Sequence, residues 1–359
     1  MFSFLTVIKP LSHFSRQCIQ TRVNRATSGG YERMQSNSQA PAIEGRPFVA
    51  VTEVGTRDGF QIEKTLVPTA KKIELINRMV EAGIRSIEVT SFVSPKAVPQ
   101  LADAEEVLAG IVRGPDTRLS ALVPNLRAAE RAVATPVDAA VLLCSASDTH
   151  NRKNLNRSVD ETLAGLSEVA ACLLQSSGSR MPKMLIGAVA TAFGCPFQGN
   201  IPVVQVLKIA RAYAEAGVTE LTLSDTTGMA TPINIRMLVR AVRAELPEME
   251  LALHLHNTRG IGLANVLVGL EEGITRYDSS MGGLGGCPFA AGATGNICTE
   301  DLLYLLDESG YETGIDLEKA INIAYGAEAA LGHSLVGQVM RAGPRLRLHS
   351  AGAVATAAG

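Results

Sequence analysis

Two histidines, His254 and His256, stand two residues apart in the segment LHLHNTR. The apolar residues between and before them predict a buried strand, and residues i and i+2 of a strand project from the same face. Two imidazoles on one face suit a divalent cation with open coordination positions. Two hydrogen-bonded histidines of a core or a surface would give the same pattern. Because the chain has only 6 histidines, their pairing at the end of a predicted strand favours a metal site.

The sequence around this strand predicts a regular alternation of strands and helices. From Pro47 onward, short β-branched runs are each followed by a longer amphipathic pattern, and this occurs eight times in order. The runs are almost continuously apolar, as expected of a parallel sheet that is covered outside and filled inside. The predicted strands span 48–55, 86–92, 118–125, 138–146, 183–194, 220–228, 251–257 and 276–283.

Eight strand–helix units predict an α/β fold, a (β/α)8 TIM barrel with extra C-terminal helices. A doubly wound sheet is the alternative, but the turn after its first strand would be rich in glycine, as in GxGxxG, and here it reads GTRDG. We assign the barrel to 47–312 and a helical segment to 313–345. We expect a disordered tail at 346–359.

The first part of the chain differs in composition from the rest. Residues 1–46 are predicted to be a leader, disordered or targeting, since no acidic residue precedes Glu32. This composition fits a mitochondrial transit peptide, a disordered leader or a start codon assigned too far upstream. We expect a cytoplasmic protein, with the mitochondrial matrix as the alternative if 1–40 are a transit peptide.

Composition argues against several other classes of protein. The net charge of −2 and the 4% of aromatic residues give no basic field and few stacking surfaces for nucleic acid. The 6 cysteines form no CxxC pair, which argues against a disulfide scaffold or a zinc finger. No apolar run approaches the roughly 20 residues that a membrane span needs.

The predicted barrel brings distant polar residues to one end, because barrel active sites lie at the carboxyl ends of the strands. Asp58 follows the first strand, and only the eighth strand separates that strand from the seventh. Asp58 is therefore the expected oxygen ligand beside His254 and His256. An Asp-Gly pair is also common in turns, so a purely local role for Asp58 is the alternative.

Five segments of the chain carry a resemblance to a known family. Their order and spacing resemble 3-hydroxy-3-methylglutaryl-CoA lyase from about residue 49 to residue 310. The resemblance implies a TIM barrel that cleaves a 3-hydroxy-3-methylacyl-CoA by a retro-Claisen reaction with Mg²⁺ or Mn²⁺. It also implies a homodimer and roles in leucine degradation and ketone body metabolism. The segments are TEVGTRDGFQIEK (52–64), SIEVTSFVSPKAVPQ (86–100), SDTTG (224–228), HLHNTRG (254–260) and GGLGGCPFAAGATGN (282–296).

The resemblance also implies which residues hold the metal and act on the substrate. Arg57 would stabilise the thioester oxygen as the enolate of acetyl-CoA forms. Cys287 would be the thiol of a mobile, glycine-rich loop and would deliver the final proton. The implied metal ligands are Asp58, His254, His256 and Asn296. The implied catalytic residues are Arg57, Asp58, Glu88, Asp225 and Cys287.

The substrate is less sharply implied than the reaction. The better-known lyases read Asp-Thr-Tyr after the second histidine, whereas this chain has Asn257, Thr258 and Arg259. Arg259 could pair with a substrate carboxylate or a CoA phosphate, and Gln61 and Lys64 complete the predicted substrate-binding residues. Cleavage of HMG-CoA to acetyl-CoA and acetoacetate is the first expectation.

Other substrates and one other reaction are the alternatives. Citramalyl-CoA or a longer 3-hydroxy-3-alkylglutaryl-CoA would use the same metal chemistry. A Claisen synthase of the isopropylmalate or citramalate type is disfavoured, because Phe60 occupies the position of a glutamate in those enzymes. They also have a sizeable C-terminal domain, and few residues follow the predicted barrel here.

Overall fold

The computed structural model describes residues 45–175, 183–286 and 295–348. Within these ranges eight parallel strands close into a barrel in sequence order, with β8 paired to β1. The barrel confirms the predicted fold class. The strands are β1 Ala50–Glu53, β2 Ser86–Ser91, β3 Arg118–Leu122, β4 Ala139–Ser145, β5 Met184–Ala190, β6 Glu220–Asp225, β7 Glu250–Leu255 and β8 Arg276–Ser279.

Helices follow the strands and cover the outside of the barrel. Two further helices, α11 and α12, come after the helix that follows β8, as the sequence predicts for the C-terminal segment. The helices are α1 Thr69–Glu81, α2 Ala104–Gly110, α3 Leu126–Val133, α4 Asp148–Leu155, α5 Val159–Ala164, α6 Leu166–Leu174, α7 Val203–Glu215, α8 Pro232–Glu245, α9 Gly262–Glu271, α10 Thr299–Glu308, α11 Leu317–Leu331 and α12 Gln338–Ala342.

The region after β4 differs from the sequence prediction. The sequence pattern after the fourth strand predicts one long helix at about 158–176, but the chain forms three short helices, α4 to α6. The start of α5 is set by a capping box, in which Ser158 and Glu161 bond each other's backbone N–H groups. Asn156, with φ 55°, ends α4 before it. The extra helix α4 therefore lies directly after the carboxyl end of β4.

The barrel interior has two chemically different walls, which we call the apolar wall and the polar wall. Side chains alternate along each strand, so every second residue faces inward. The apolar wall, on β3 to β5, consists of Leu122, Val141, Leu143, Ile186, Ala188 and Ala190. The polar wall, on β6 to β8 and on β1 and β2, consists of Thr52, Glu88, Thr222, Ser224, His254 and Asp278.

An ion pair closes the interior at the amino ends of the strands. The Arg118 Nη1 donates to the Glu220 Oε2 at 3.0 Å, across the barrel. Arg276 approaches the same carboxylate, with 3.7 Å between its Nη1 and the Glu220 Oε2. The ion pair lies at the end of the interior opposite the carboxyl ends of the strands. In the part of the chain that the structure describes, no helix is long and apolar enough to cross a membrane.

Outside the barrel, the layer between sheet and helices is tightly packed around Tyr213 of α7. Its hydroxyl donates to the Leu142 carbonyl at 2.7 Å, and its ring lies against Gly187 of β5. A Cβ added at Gly187 would lie 2.7 Å from the Tyr213 ring. Glycine at this strand position is thus required by the close approach of the ring rather than by backbone conformation.

We predict that Gly187→Ala lowers the free energy of unfolding by about 1–3 kcal/mol, because the new methyl group overpacks this layer. Chemical denaturation followed by circular dichroism would measure the change. Gly165→Ala is the matched control, since Gly165 has a helical φ of −84° and the nearest atom to its added Cβ is 3.6 Å away. That control should change stability by less than about 0.5 kcal/mol. Equal effects in the two variants would contradict the packing explanation.

Candidate metal-dependent active site

A short π-helical turn, Gly55–Gly59, places Asp58 at the carboxyl end of β1. The Asp58 N–H donates to the Val54 carbonyl at 2.7 Å, which turns the chain back over the barrel mouth. Both ends of the turn are glycine because neighbouring atoms are close. A Cβ on Gly55 would lie 2.7 Å from the Glu53 Oε1, and one on Gly59 would lie 2.9 Å from the Cβ of Leu284.

The carboxylate of Glu53 joins this turn to the chain that follows β8. Its Oε1 accepts from the N–H groups of Gly55 and Met281, at 2.8 and 2.9 Å, and its Oε2 accepts from the Thr299 hydroxyl at 2.6 Å. Burial raises the pKa of Glu53 to about 7, against the lowering effect of these three hydrogen bonds. Glu53 therefore holds two functional segments together from beneath the site.

Arg57 lies between two carboxylates at the barrel mouth. Its Nε and Nη2 each donate to Glu88 at 2.8 Å, and its Nη1 donates to the Asp58 Oδ1. Burial alone would raise the pKa of Asp58, but the charge of Arg57 and the nearby imidazoles lower it to about 2. Asp58 is thus an anion at every physiological pH. Gln61 adds a hydrogen bond to the Asp58 Oδ1 at 2.9 Å.

His254 of β7 and His256, just beyond its end, turn their rings toward one point. Their Nε2 atoms lie 3.2 Å apart, and the His254 Nε2 lies 3.8 Å from the Asp58 Oδ2. The Nδ1 of His254 faces the Asp278 Oδ2 of β8 at 3.1 Å, which orients the ring from behind. One ligand atom from each of Asp58, His254 and His256 lies within 4.8 Å of the others.

Asn296 reaches the same point from the segment after β8. Its Nδ2 donates to the Asp58 Oδ2 at 2.8 Å and to the Leu284 carbonyl at 3.0 Å. Its buried Oδ1 has no hydrogen-bond partner among the described residues. The backbone here leaves no room for side chains, because a Cβ on Gly295 would lie 1.9 Å from the Gly283 carbonyl oxygen.

These groups fit a divalent cation. Two imidazoles that face each other, one carboxylate and the Asn296 amide oxygen, which no described residue hydrogen-bonds, form a mixed nitrogen and oxygen set. The carboxylate behind His254 is the usual outer partner of a metal-bound histidine. No cysteine of the described residues belongs to this cluster, which disfavours a structural zinc site.

The cluster lies in the wall of a cavity of about 600 Å³. The cavity opens at the carboxyl ends of the strands and continues between the apolar and polar walls as far as Arg118 and Glu220. The helix α4 contributes to its mouth. The space is large enough for a small organic ligand, with charged groups on one side and aliphatic groups on the other.

The structure brings most of the predicted site residues together. Four of them line the cavity with the histidines or contact the metal cluster directly, namely Arg57, Gln61, Glu88 and Asn296. Their roles in binding and catalysis remain predictions. Cys287 lies outside the described residues.

Asp225 does not reach the cavity wall. Its neighbours Ser224 and Thr226 face the cavity, so alternation along β6 directs Asp225 to the other side. There its Oδ1 accepts from the N–H groups of Met229 and Ala230, at 2.6 and 2.9 Å. Burial raises its pKa to about 7, although these hydrogen bonds lower it. Asp225 thus shapes the loop after β6, and the structure gives no support for direct contact with a substrate.

Two predicted substrate contacts also lie away from the described cavity wall. Lys64 is exposed beyond the turn that carries Asp58, and it does not line the cavity. Arg259 is exposed, and its Nη1 donates to the carbonyls of Thr227 and Gly228 at 3.2 and 2.7 Å. Arg259 therefore connects the loops after β6 and β7, which sequence spacing could not indicate.

Two residues of the site were not assigned a role from sequence. Asp278 lies in the predicted eighth strand, 276–283, but its pairing with His254 requires the register between β7 and β8. His150 lines the cavity from α4, a helix that the sequence pattern did not predict. No periodic signal in the sequence marks either position.

Comparison with known proteins gives the family. The family model described as HMGL-like matches residues 49–325. The chain belongs to the HMGL-like family. It is 41% identical over 296 residues to the cytoplasmic 3-hydroxy-3-methylglutaryl-CoA lyase of Mus musculus, which covers 82% of this chain and 84% of the mouse protein. It is 42% identical over 274 residues to the mitochondrial hydroxymethylglutaryl-CoA lyase of Gallus gallus, covering 76% of this chain and 90% of the chicken protein.

A solved structure of this family is also similar in three dimensions. It is an HMG-CoA lyase from Acinetobacter baumannii in complex with coenzyme A and 3-methylmalate, 46% identical to this chain, with a TM-score of 0.79. The match covers 84% of this chain and 97% of that chain. The recognised resemblance to the HMG-CoA lyases is thereby confirmed, and the named HMGL-like relatives are carbon–carbon lyases.

We predict that Asp58→Asn weakens the binding of Mn²⁺ by more than about 100-fold, because the variant removes the only anionic oxygen of the ligand cluster. Electron paramagnetic resonance titration of the purified protein would measure the affinity. Asp278→Asn is the matched comparison, since Asp278 only orients His254, and it should weaken binding by about 10- to 100-fold. Unchanged Mn²⁺ affinity in the Asp58 variant would exclude this site.

Proposed function

We propose that this chain is a divalent-metal-dependent lyase that cleaves HMG-CoA to acetyl-CoA and acetoacetate. The observation that carries the proposal is the joint position of Arg57 and the Asp58–His254–His256 cluster at the mouth of one cavity. The names of the family relatives support the acyl-CoA substrate. The reaction breaks the C2–C3 bond, and the electron pair passes to the thioester as an enolate.

A bound cation supplies Lewis acidity that favours loss of the C3 hydroxyl proton. Arg57 supplies a fixed positive charge for the thioester oxygen, where negative charge develops as the bond breaks. Both oxygens of Glu88 hold this guanidinium in place, so little reorganisation is needed during the reaction. Asp58, with its pKa of about 2, acts in this proposal as a ligand. A water or a carboxylate near Asp58 accepts the C3 hydroxyl proton. Return of a proton to C2 by Cys287 stays a prediction.

The first experiment is an assay of products from HMG-CoA and from citramalyl-CoA, with Mg²⁺ or Mn²⁺ and then with EDTA. We expect acetoacetate from HMG-CoA, and loss of the activity with EDTA. Pyruvate from citramalyl-CoA alone would assign the same reaction to a different substrate. Absence of cleavage of both thioesters in the presence of metal would contradict the proposal.

We predict that Arg57→Gln lowers kcat by about 100- to 1000-fold, because the charge that stabilises the enolate oxygen is removed. The affinity for Mn²⁺ should not fall, since a cation next to Asp58 is removed along with it. Steady-state kinetics and a metal titration of the same preparation would test both parts. A parallel loss of metal affinity would instead indicate a role for Arg57 in building the metal site.

The apolar wall favours a second candidate substrate, a 3-hydroxy-3-alkylglutaryl-CoA with a longer alkyl group. Ile186 and Ala188 retain 5% and 8% exposure inside the barrel, which means that the cavity reaches them. An alkyl group on C3 that points away from the polar wall would lie against these residues. The small side chains of Ala188 and Ala190 leave room for it.

We predict that Ala188→Leu lowers kcat/KM for the longer substrate by at least about tenfold and leaves that for HMG-CoA within a few-fold, because the added carbons fill the space beyond a methyl group. Competition between the two thioesters would measure the ratio. An equal loss for both substrates would indicate that HMG-CoA itself occupies this space.

Three finer points remain part of the proposal. We propose Mg²⁺ or Mn²⁺ as the metal, because oxygen and imidazole ligands suit both ions. A homodimer is the expectation from the family resemblance, and sedimentation analysis would test it. The cytoplasm is the proposed location, with the mitochondrial matrix as the alternative, and named relatives occur in both compartments.

A further inference from the structure

The imidazole of His150 is held in the cavity wall by the carboxyl end of β4. It lies in the first turn of α4, and its Nδ1 is 2.7 Å from the hydroxyl oxygen of Ser145. His150 is 2% exposed and Ser145 is fully buried. The side chain of Ser147 caps the helix by accepting from the His150 N–H at 3.2 Å. The position of the ring is therefore fixed by the strand and by the helix start together.

A second set of hydrogen bonds fixes the same region. The Asn151 Oδ1 accepts from the Ser145 N–H at 2.9 Å, and its Nδ2 donates to the carbonyls of Arg157 and Ser158 and to the Thr162 hydroxyl. This network holds α4 against β4 without using the imidazole. A role of His150 in merely attaching the helix is thus already filled by Asn151.

The chemical state of His150 suits hydrogen bonding. Burial lowers its pKa to about 4, so the ring is neutral at physiological pH. A neutral imidazole has one N–H donor and one acceptor nitrogen. It can therefore bind an oxygen atom by direction and distance without adding a charge to the metal site.

Along the face of α4 that lines the cavity, the side chains become more exposed toward the cavity mouth. Residues i, i+3 and i+4 of a helix share one face, and here they are His150, Lys153 and Asn154, all of which line the cavity. His150 is buried, whereas Lys153 and Asn154 are exposed. A ligand with a short acyl group and a long CoA arm would place the acyl group beside His150, and the arm would leave past the other two.

We propose that His150 is a specificity-determining residue that hydrogen-bonds an oxygen atom of the bound acyl-CoA. That atom is either the thioester oxygen or an oxygen of the distal carboxylate of the acyl group. Ser145 is the positioning residue that orients the ring. The inference rests on the proposed function, in that it takes the ligand to be an acyl-CoA. It assigns to β4 and α4 a recognition role on the side of the cavity away from the metal ligands of β7.

The test is calorimetric binding of CoA and of glutaryl-CoA to the metal-loaded protein. Glutaryl-CoA carries both candidate oxygens and lacks the C3 hydroxyl group that cleavage requires. The measured quantity is the ratio of the Kd for CoA to the Kd for glutaryl-CoA. His150→Leu should lower this ratio about five- to tenfold, the effect of losing one neutral hydrogen bond.

Two variants separate recognition from a structural role. His150→Gln carries an amide to the position of the Nε2, and it should retain most of the wild-type ratio. His150→Asn carries an amide only to the position of the Nδ1, beside Ser145, and it should lower the ratio like the leucine variant. The reverse order, with the asparagine variant near the wild-type ratio and the glutamine variant impaired, would overturn the proposal. Such a result would mean that only the contact of the His150 ring with Ser145 matters.

A further comparison identifies the oxygen atom that His150 binds. It also distinguishes failure of the His150 proposal from failure of the proposed function. Butyryl-CoA lacks the distal carboxylate. If His150→Leu weakens the binding of glutaryl-CoA but not of butyryl-CoA, His150 binds the carboxylate. If the variant weakens the binding of both, His150 binds the thioester oxygen. Lys153→Ala is the control at the mouth and should leave the ratio unchanged. If the wild-type protein binds no CoA compound, the proposed function fails. If it binds them and the leucine variant keeps the ratio, only the role of His150 fails.

Discussion

The site depends on one buried guanidinium group among carboxylates. Arg57 binds both oxygens of Glu88 and one oxygen of Asp58, and the charge of Asp278 also acts on it. Without this positive charge, three acidic groups would share a poorly hydrated space, which is strongly unfavourable. The guanidinium keeps Asp58 ionised and leaves its second oxygen directed at Asn296 and His254. Arg57 therefore balances the charge of the acidic groups that surround it at the barrel mouth.

Much of this arrangement could be predicted from the sequence. The eight apolar runs specify the barrel, because each can be buried only when it pairs with its neighbours and is covered by a helix. Barrel closure then makes Asp58 a neighbour of the two histidines. Asn296 could be predicted as a ligand only from the family resemblance, since its position depends on a backbone path with no periodic pattern. A bridge between Asn296 and His256 joins the segment that begins at residue 295 to the end of β7.

The positions that differ from a simple reading of the sequence have local physical causes. Asp225 follows the alternation of β6 and faces away from the cavity, because the inward positions are those of Ser224 and Thr226. Arg259 finds carbonyl partners in an adjacent loop, a contact between segments that no spacing rule describes. The helix that carries His150 was missed because its few apolar residues give almost no amphipathic pattern. Its start is set instead by side-chain caps and by contacts with β4.

The two walls of the barrel interior belong to different stretches of the gene. The polar wall comes from the ends of the barrel sequence, β1, β2 and β6 to β8, whereas the apolar wall comes from the middle, β3 to β5. Substitutions in the middle stretch can therefore change which acyl groups fit while the groups around the cation stay as they are. Evolution could broaden or narrow the range of accepted thioesters in this way. Exchange of the central stretch between relatives would transfer the preference for an acyl group as a unit.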